Sequence, residues 1–576
     1  MTVWLIGFVM LGLIIALISN RVPPTLPFIG AVLIFLFGGI LPSERLLMAF
    51  ANETLAGLIL LLLASTVLEK TYTLSWITKH LFTAKGRIAN LFRMTGVALL
   101  ASSHLNNTAV VAALMGAVKT NKFVTPSKFL IPLSYAAIMG GTLTLIGTST
   151  NLIVNSFVVD AGLPSLSFYN FLCVGGPIAL AGILYLVFVV PHILPDREQK
   201  SESVRGDYFL EAKVSPESKL VGRSVQVNRL RNLESLFLAE IIRGDKLISP
   251  VVPEEIIQPK DRLVFTGNVT QIQELRQFDG LTIMEKIDEL VRSNLQEVVV
   301  KHNAPVIGRR IKDTNFRTRF DAVVVGVRRG TNHLPGKIGS MALLPGDSLV
   351  LAVGREFERH DNLRQNFIFI QPLEVEGFLN RRESLIAMGA FLLSVLLMAL
   401  QMLSLFKAMV ALMAFYVVMG YFPTKQFKRQ VNLGLFIMIG SSLAIADVLR
   451  AEGIAQALGE GIIQTVGMHS PQLALLSIYI ATALLTELVT NNAAAALIFP
   501  IALSTAQTLA VSPMPFIMVT AFAASASFLT PIGYQTNTMV YSLGSYRFSD
   551  YLKAGLGMAV LYAALTLLLV PYFFPF

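Results

Sequence analysis

The chain has 576 residues, 54% of them hydrophobic and 14% charged, with a mean hydropathy of +0.64, which excludes an ordinary soluble globular domain. The formal charge of +10 raises nucleic acid as a partner, but Lys and Arg gathered in cytoplasmic loops of a membrane protein account for it, and no nucleic-acid partner is expected. The single cysteine, Cys173, excludes a disulfide framework and a Cys/His transition-metal cluster.

In chain order, apolar spans read at about 3–19, 26–41, 53–69, 88–118, 128–158 and 170–194. Runs of roughly 17 to 25 apolar residues cross a bilayer as helices. Residues 3–19 lack a basic start and a small-residue cleavage site, so they predict a retained first span rather than a signal peptide. A polar stretch follows from about 196 to 380 and holds most of the 36 acidic residues, which marks it as a soluble insert. Apolar spans resume at about 384–402, 406–421, 431–449, 470–503, 513–541 and 551–574. The expected fold is a polytopic α-helical membrane protein, with membrane halves over 1–195 and 381–576 and two insert domains over 196–286 and 287–380.

The basic residues give an orientation. Lys70, Lys79, Lys85, Arg87 and Arg93 form one group, Lys119, Lys122 and Lys128 the next, and Arg381, Arg382, Lys425, Lys428 and Arg429 a third. All fall on one side if 88–118 and 470–503 enter the membrane and return as hairpins. The insert then lies in the cytoplasm and both termini outside. With no targeting feature read, a bacterial plasma membrane is the expected location.

The halves repeat each other. Thr144–Val154 (TLIGTSTNLIV) matches Thr530–Val540 (TPIGYQTNTMV) at an offset of 386. Asn106-Asn107-Thr108 pairs with Thr490-Asn491-Asn492 at an offset of 384. With five crossings and one hairpin per half, the second copy is inverted, an organisation found in secondary transporters. The insert repeats too, at an offset of 86: Val221-Gly222-Arg223 with Ile307-Gly308-Arg309, Arg243-Gly244 with Arg329-Gly330, and Pro259–Leu263 with Pro345–Leu349. Its Val- and Ile-rich runs, such as Ala322–Val327 and Ser348–Val353, alternate with turns, so each copy reads as a small α+β unit.

The paired polar motifs carry the chemistry. Unpaired polar groups at bilayer depth cost several kcal/mol, so they persist where they line a cavity or bind something. Asn offers a carbonyl oxygen to a hard cation and an amide donor to an anion; Thr adds a hydroxyl. At a hairpin tip, one arm ends in free carbonyls suited to Na⁺ and the other begins with N–H groups suited to an anion. The segments 140–151 and 525–537, with Gly140, Gly141, Gly147, Pro531 and Gly533, are predicted to break their helices midway. The alternative is that these Asn and Thr residues only join packed helices. Glu487, three residues before Thr490, is either a coupling carboxylate that carries a proton or supports a cation site, or a cap on backbone N–H groups. His104 sits beside the first motif, and Ser103 holds the repeat position of Glu487. Asp447 reads as interfacial. No Lys or Arg stands in either motif, so a divalent anion there needs a co-bound cation.

On these motifs the chain resembles the divalent anion:sodium symporter family, which carries a Ser-Asn-Thr motif at each of two re-entrant hairpin tips. Here the central Asn is kept in both copies, as Asn107 and Asn491, while the flanking residues depart. Thr530-Pro531-Ile532-Gly533 also resembles that family's unwound helix. The resemblance implies sodium sites at Ser103, Asn107, Gly141, Gly147, Thr486, Asn491 and Leu529. It implies an anion held by Asn106, Asn107, Thr108, Thr490, Asn491 and Asn492 with Thr530 and Pro531. The insert units resemble C-terminal regulatory modules of potassium-transport proteins (TrkA-C type), spanning about 205–285 and 290–372. Such modules dimerise and can bind small ligands such as cyclic dinucleotides; no Gly-x-Gly-x-x-Gly turn is present for NAD. Insert and motifs together resemble the sulfate branch of the family. The expected activity is sodium-coupled, or proton-coupled, symport of a small divalent anion, sulfate before dicarboxylates such as succinate, by a homodimer in the lipid bilayer. A cation:proton antiporter using Glu487 and a membrane anion sensor stand as alternatives. No nucleophile–base set or P-loop points to an enzyme, and no organic cofactor is expected.

Overall fold

A computed structural model describes residues 2–19, 22–71, 81–82, 86–120, 125–197, 209–230, 233, 236–244, 246–248, 251–267, 275, 278–284, 295–301, 304–330, 332–333, 338–354, 356–357, 360, 362–370, 379–422, 431, 433–465 and 470–576. The basic residues Lys79, Lys85, Lys122, Lys425, Lys428 and Arg429 lie outside them.

Seven helical segments are long and apolar enough to span a bilayer among the described residues: Thr2–Ser19, Ser43–Glu69, Phe168–Ile193, Arg381–Ala399, Leu433–Ala451, Pro471–Leu488 and Phe548–Phe573. Shorter apolar helices lie between them, among them Thr25–Phe37 (α2, after α1 at Thr2–Ser19) and Leu405–Val418. A backbone in hydrocarbon must satisfy its own N–H and C=O groups, which is why the spans are helical. Local residues set where they begin. Asn52 accepts from the N–H groups of Thr54 and Leu55 at the start of Glu53–Glu69. Ser167 and Asn170 form a capping box ahead of Phe168–Phe188, and Asn380 and Glu383 do the same ahead of Arg381–Ala399.

The segments expected as hairpins are each divided. The first forms α5 (Arg87–Ser102) and α6 (Asn107–Thr120), after α3 (Ser43–Phe50) and α4 (Glu53–Glu69). The next span is also broken, into α7 (Pro126–Gly141) and α8 (Ser149–Asp160), and is followed by α9 (Phe168–Phe188). After the insert come α10 (Arg381–Ala399), α11 (Leu405–Val418), α12 (Leu433–Ala451) and α13 (Ile454–Thr465). Then α14 (Pro471–Leu488) and α15 (Asn491–Thr508) meet at residues 489–490. The last broken pair is α16 (Met514–Ala524) and α17 (Gln535–Leu543), and α18 (Phe548–Phe573) ends the chain. The breaks fall where glycines, prolines and short polar side chains were read as weak helix formers. Lys128 differs from its expected place in an exposed loop. It lies in the first turn of α7, buried, and donates to the carbonyls of Pro191 and Leu194 beyond α9.

The insert is β-rich. Its strands are β1 (Phe209–Val214), β2 (Leu236–Arg243), β3 (Lys246–Ile248), β4 (Arg262–Gly267), β5 (Leu281–Met284), β6 (Leu295–Val300), β7 (Ala322–Arg329), β8 (Asn332–His333), β9 (Ser348–Val353) and β10 (Phe367–Phe369). They form two five-stranded antiparallel sheets, β3-β2-β4-β1-β5 and β8-β7-β9-β6-β10. The strand order is the same in both. So is the register shift, at Leu238/Glu240 in one sheet and Val324/Gly326 in the other, 86 residues on. Each sheet carries the same buried ion pair: Arg243 with Asp261 and Arg329 with Asp347. In both, the carboxylate also accepts a backbone N–H, from Gln258 or Leu344. The bond to the aspartate raises each guanidinium above its usual range, against the lowering effect of burial.

Candidate functional site

Both broken segments are tied by an asparagine at the same place. Asn151 Nδ2 donates to the carbonyls of Gly141 (3.3 Å) and Thr144 (2.8 Å). Asn537 Nδ2 donates to those of Ser527 (2.9 Å) and Thr530 (3.2 Å). The acceptors stand 10 and 7 residues before the donor in both cases. A side-chain amide thus replaces helix bonds lost at each break, as buried backbone requires.

The two motifs begin helices that meet the broken segment of the opposite half. Asn107, at the first turn of α6, donates through Nδ2 to the Tyr534 hydroxyl (2.9 Å). Its Oδ1 accepts from Ser102 Oγ (2.7 Å). Thr108 Oγ1 donates to Gln535 Oε1 (3.1 Å), and Asn106 Oδ1 accepts from the Thr108 N–H (2.8 Å). On the other side, Asn492 Oδ1 accepts from Ser149 Oγ and Thr150 Oγ1, both at 3.1 Å. Asn491 Nδ2 donates to Thr150 Oγ1, and Thr490 Oγ1 caps α15 by accepting from the Ala493 N–H. The first turns of α6, α8, α15 and α17 therefore carry cross-half hydrogen bonds. Each brings N–H groups that have no partner within the helix ladder and a positive dipole end, with no Lys or Arg among the motif residues.

The carbonyl-rich ends lie behind these bonds. Ser103 caps α5, and its carbonyl accepts from Thr144 Oγ1 (2.5 Å). Gly141 closes α7 against Asn107, whose amide oxygen and nitrogen a Cβ there would strike. Gly147 lies against the Gly141 carbonyl. The structure thus gathers Ser103, Asn107, Gly141 and Gly147 around one break. In the second half, Thr486 Oγ1 donates to the Ala524 carbonyl (2.6 Å). Glu487 is buried, and its carboxylate accepts from the N–H groups of Leu529 (2.8 Å) and Thr530 (3.1 Å) and from Thr530 Oγ1 (2.6 Å). A Cβ at Gly533 would strike both the Ser527 hydroxyl and Glu487 Oε2, so this carboxylate faces the second break directly. Pro531 offers its carbonyl to Thr538 Oγ1. Asn491 turns to Thr150 rather than to Thr486 or Leu529.

Sequence reasoning left several of these groups out of the site: Tyr534, Gln535, Ser149, Thr150, Asn151, Asn537, Ser525 and Ser527. A signal existed, because most lie inside the matched stretches Thr144–Val154 and Thr530–Val540, and Asn151 and Asn537 are the same residue in both. The buried oxygens Asn151 Oδ1 and Ser525 Oγ have no hydrogen-bond partner among the described residues. Oxygens of this kind beside broken-helix carbonyls fit a hard monovalent cation. Among the described residues no cluster of three or more His, Cys, Asp or Glu suits a transition metal. His104 bonds with Ser103 Oγ, and Asp447 pairs with Arg450, which also holds Asp160.

Comparison with known proteins gives this architecture a family. The citrate transporter model, CitMHS, matches residues 14–520. A protein of Chlamydomonas reinhardtii provisionally named a sulfur deprivation response regulator is 29% identical over 95% of this chain and 97% of its own. An uncharacterised transporter of Synechocystis sp. is 28% identical over 94% of this chain and 92% of its own. The sodium/sulfate cotransporter 2 of Chlamydomonas reinhardtii is 28% identical over 65% of this chain and 45% of its own. Broken apolar helices, paired polar motifs and this match agree: the chain belongs to the citrate transporter family of multi-pass membrane transporters.

Proposed function

We propose that the protein is a secondary active symporter of a small divalent oxyanion, sulfate before succinate or citrate, driven by sodium. The observation that carries this reading is the set of cross-half bonds at four helix starts, from Asn107 to Tyr534, Thr108 to Gln535, Ser149 to Asn492 and Asn491 to Thr150. An anion set between these starts meets N–H groups, hydroxyls and amides, all good partners for sulfate oxygens. Asn106, Asn107, Thr108, Thr490, Asn491, Asn492, Thr530 and Pro531 would line it. With no cationic side chain in the motifs, a bound cation supplies the compensating charge. Ser103, Asn107, Gly141 and Gly147 would hold one such ion, and Thr486, Leu529, Ser525 and Glu487 a second, with Asn491 between anion and cation. The sodium/sulfate names of relatives support the choice of both ions.

The same reading makes α5/α6 and α14/α15 re-entrant hairpins within two inverted repeats, 1–195 and 381–576. The paired asparagine bonds support that symmetry. The sheets of 196–286 and 287–380 would be TrkA-C-type modules on the cytoplasmic side of a bacterial plasma membrane, both termini outside, in a homodimer. A regulatory nucleotide on them is a further part of the proposal. Glu487 favours a second reading, in which one coupling ion is a proton, either in symport or in exchange for a cation. A sensor, in which the membrane halves detect an anion and the insert signals, is a third reading, to which the name of the sulfur deprivation relative adds.

Proteoliposomes test these together. Labelled sulfate, succinate and citrate are offered with an inward sodium gradient, an inward proton gradient, or neither. Sulfate accumulation that collapses without sodium is the expected result. Succinate or citrate accumulation instead changes the substrate; accumulation on the proton gradient alone changes the coupling ion. Cation-driven proton movement without any anion uptake would move the assignment to an antiporter.

A further inference from the structure

The second insert sheet is bolted to the two helices that begin at the candidate site. Lys119, in the last turn of α6, forms an ion pair with Glu297 on β6. Glu297 also accepts from Ser348 Oγ (2.9 Å) and lies 3.5 Å from the Arg328 guanidinium. Near the end of α17, Ser542 Oγ donates to the Gly346 carbonyl (2.6 Å) and accepts from the Gly330 N–H (3.2 Å). Gly346 packs so closely on Thr538, and Gly330 on Tyr541, that a Cβ at either would collide. Val299, Ile368 and Ile370 join the apolar core of the membrane helices, whereas the rest of each insert unit has a core of its own.

Comparison of the two insert units shows that this face is particular to the second. Glu211, the repeat equivalent of Glu297, pairs within its own unit with Arg262 (3.3 Å). At the position of Arg262 the second unit has Ser348, and its carboxylate turns outward to Lys119. At the position of Gly346 the first unit has Lys260, whose side chain could not stand against Thr538. Gly244, equivalent to Gly330, faces open space. The module surface that the second unit fits to the membrane helices is thus built from different residues in the first.

The fit closes a frame. α6 and α17 are joined at the site by Asn107 to Tyr534 and Thr108 to Gln535, and at their far ends by the insert. The chain leaving the insert is fixed elsewhere, where the Leu379 N–H donates to the Lys70 carbonyl at the end of α4. A polar β-unit cannot follow helices into hydrocarbon. A transport step that draws α6 and α17 into the membrane, away from the insert, would therefore part them from it.

We propose that the second insert unit is a releasable clamp on α6 and α17, which restrains the site helices while it is docked and sets the rate of the transport cycle. This rests on the symport reading above. The test uses full-length protein in proteoliposomes. Lys119→Glu places two carboxylates together and undocks the unit; Lys119→Arg keeps the pair and leaves Glu297 facing Arg328. Lys119→Cys with Glu297→Cys, in a Cys173→Ser background, allows a short reducible cross-link. Undocking is expected to speed sulfate uptake about fivefold, Lys119→Arg to keep the wild-type rate, and the cross-link to stop it until reduced. Amide exchange over 525–534, read without any anion, is expected to rise on undocking and fall on cross-linking. Uptake by Lys119→Glu at or below the wild-type rate, or undiminished uptake by cross-linked protein, overturns the clamp. If wild-type protein moves no anion, the symport reading falls, and unchanged exchange in the same variants then overturns the clamp on its own.

Discussion

In the first half, the Thr144 hydroxyl donates to a backbone carbonyl, that of Ser103. In the second half, the equivalent Thr530 donates to a carboxylate, that of Glu487, at the position equivalent to Ser103. The surrounding frame is shared: Asn151 and Asn537 hold the two breaks by the same pair of bonds. One place in a repeated architecture therefore presents a titratable carboxyl group in one copy and a backbone carbonyl in the other. The buried Glu487 carboxyl accepts three hydrogen bonds, two of them from an unwound backbone. The two breaks are alike in shape and unlike in chemistry, and the difference separates what the repeat supplies from what each site does.

Glu487→Gln should give the largest effect. A hydrogen bond to a charged group is worth about 1.5–3 kcal/mol, so coupled uptake should fall roughly ten- to a hundredfold. The sodium or proton stoichiometry, read from the reversal potential, should lose one charge. Unchanged stoichiometry would make Glu487 a structural cap and erase the contrast between the halves. Introducing the charge on the other side, as Ser103→Glu, should fail to rescue this variant if the sites are distinct in role.

Gly141→Ala and Gly533→Ala probe the two breaks directly. One Cβ strikes the Asn107 amide and the other the Glu487 carboxylate. Each should cost about 1–3 kcal/mol as overpacking, seen as a lower melting temperature and raised KM. A stable, fully active Gly533→Ala protein would contradict the close approach of Glu487.

Tyr534→Phe should leave the Asn107 amide nitrogen without its partner. Loss of that bond should raise KM for the anion by about tenfold, equivalent to roughly 1.4 kcal/mol, with little change in coupling. Thr150→Val removes the corresponding partner of Asn491. Equal losses would mean that the two motifs contact the anion alike; a coupling defect in only one would sharpen the asymmetry.

The smallest effect concerns the insert. Burial pushes the Glu297 carboxyl up, but Lys119 and Arg328 outweigh it and hold it below its ordinary value of 4.5. Docking through this pair is therefore fully present above the ordinary carboxylate range and lost as pH falls through the depressed value. The protection of the Gly330 amide, relative to its intrinsic exchange rate at each pH, should be flat from neutral pH into the mildly acid range and fall only below it. A fall near neutral pH would place the titrating group elsewhere.

Much of this was legible in the chain. The helix breaks at 103–106, 142–148, 489–490 and 525–534 follow from glycine, proline and short polar residues inside apolar runs. The repeat offsets of 384, 386 and 86 are carried by residues that local geometry demands, such as the Asn at each break and the Arg–Asp pair of each sheet. Lys128 was misread because a basic residue beside a loop looks solvated, and only the fold brings the Pro191 and Leu194 carbonyls to it.

The sequence by itself determined the membrane class, the polar insert, the repeats and the motif asparagines, because hydropathy, helix propensity and spacing are local properties of the chain. The tertiary structure alone decided which half each motif reaches, that Tyr534 and Gln535 face Asn107 and Thr108, and that Glu297 turns to Lys119 while Glu211 stays within its unit. Those pairings join residues up to 427 positions apart. No local rule fixes them, since they depend on how the packed halves and the insert come to rest against one another.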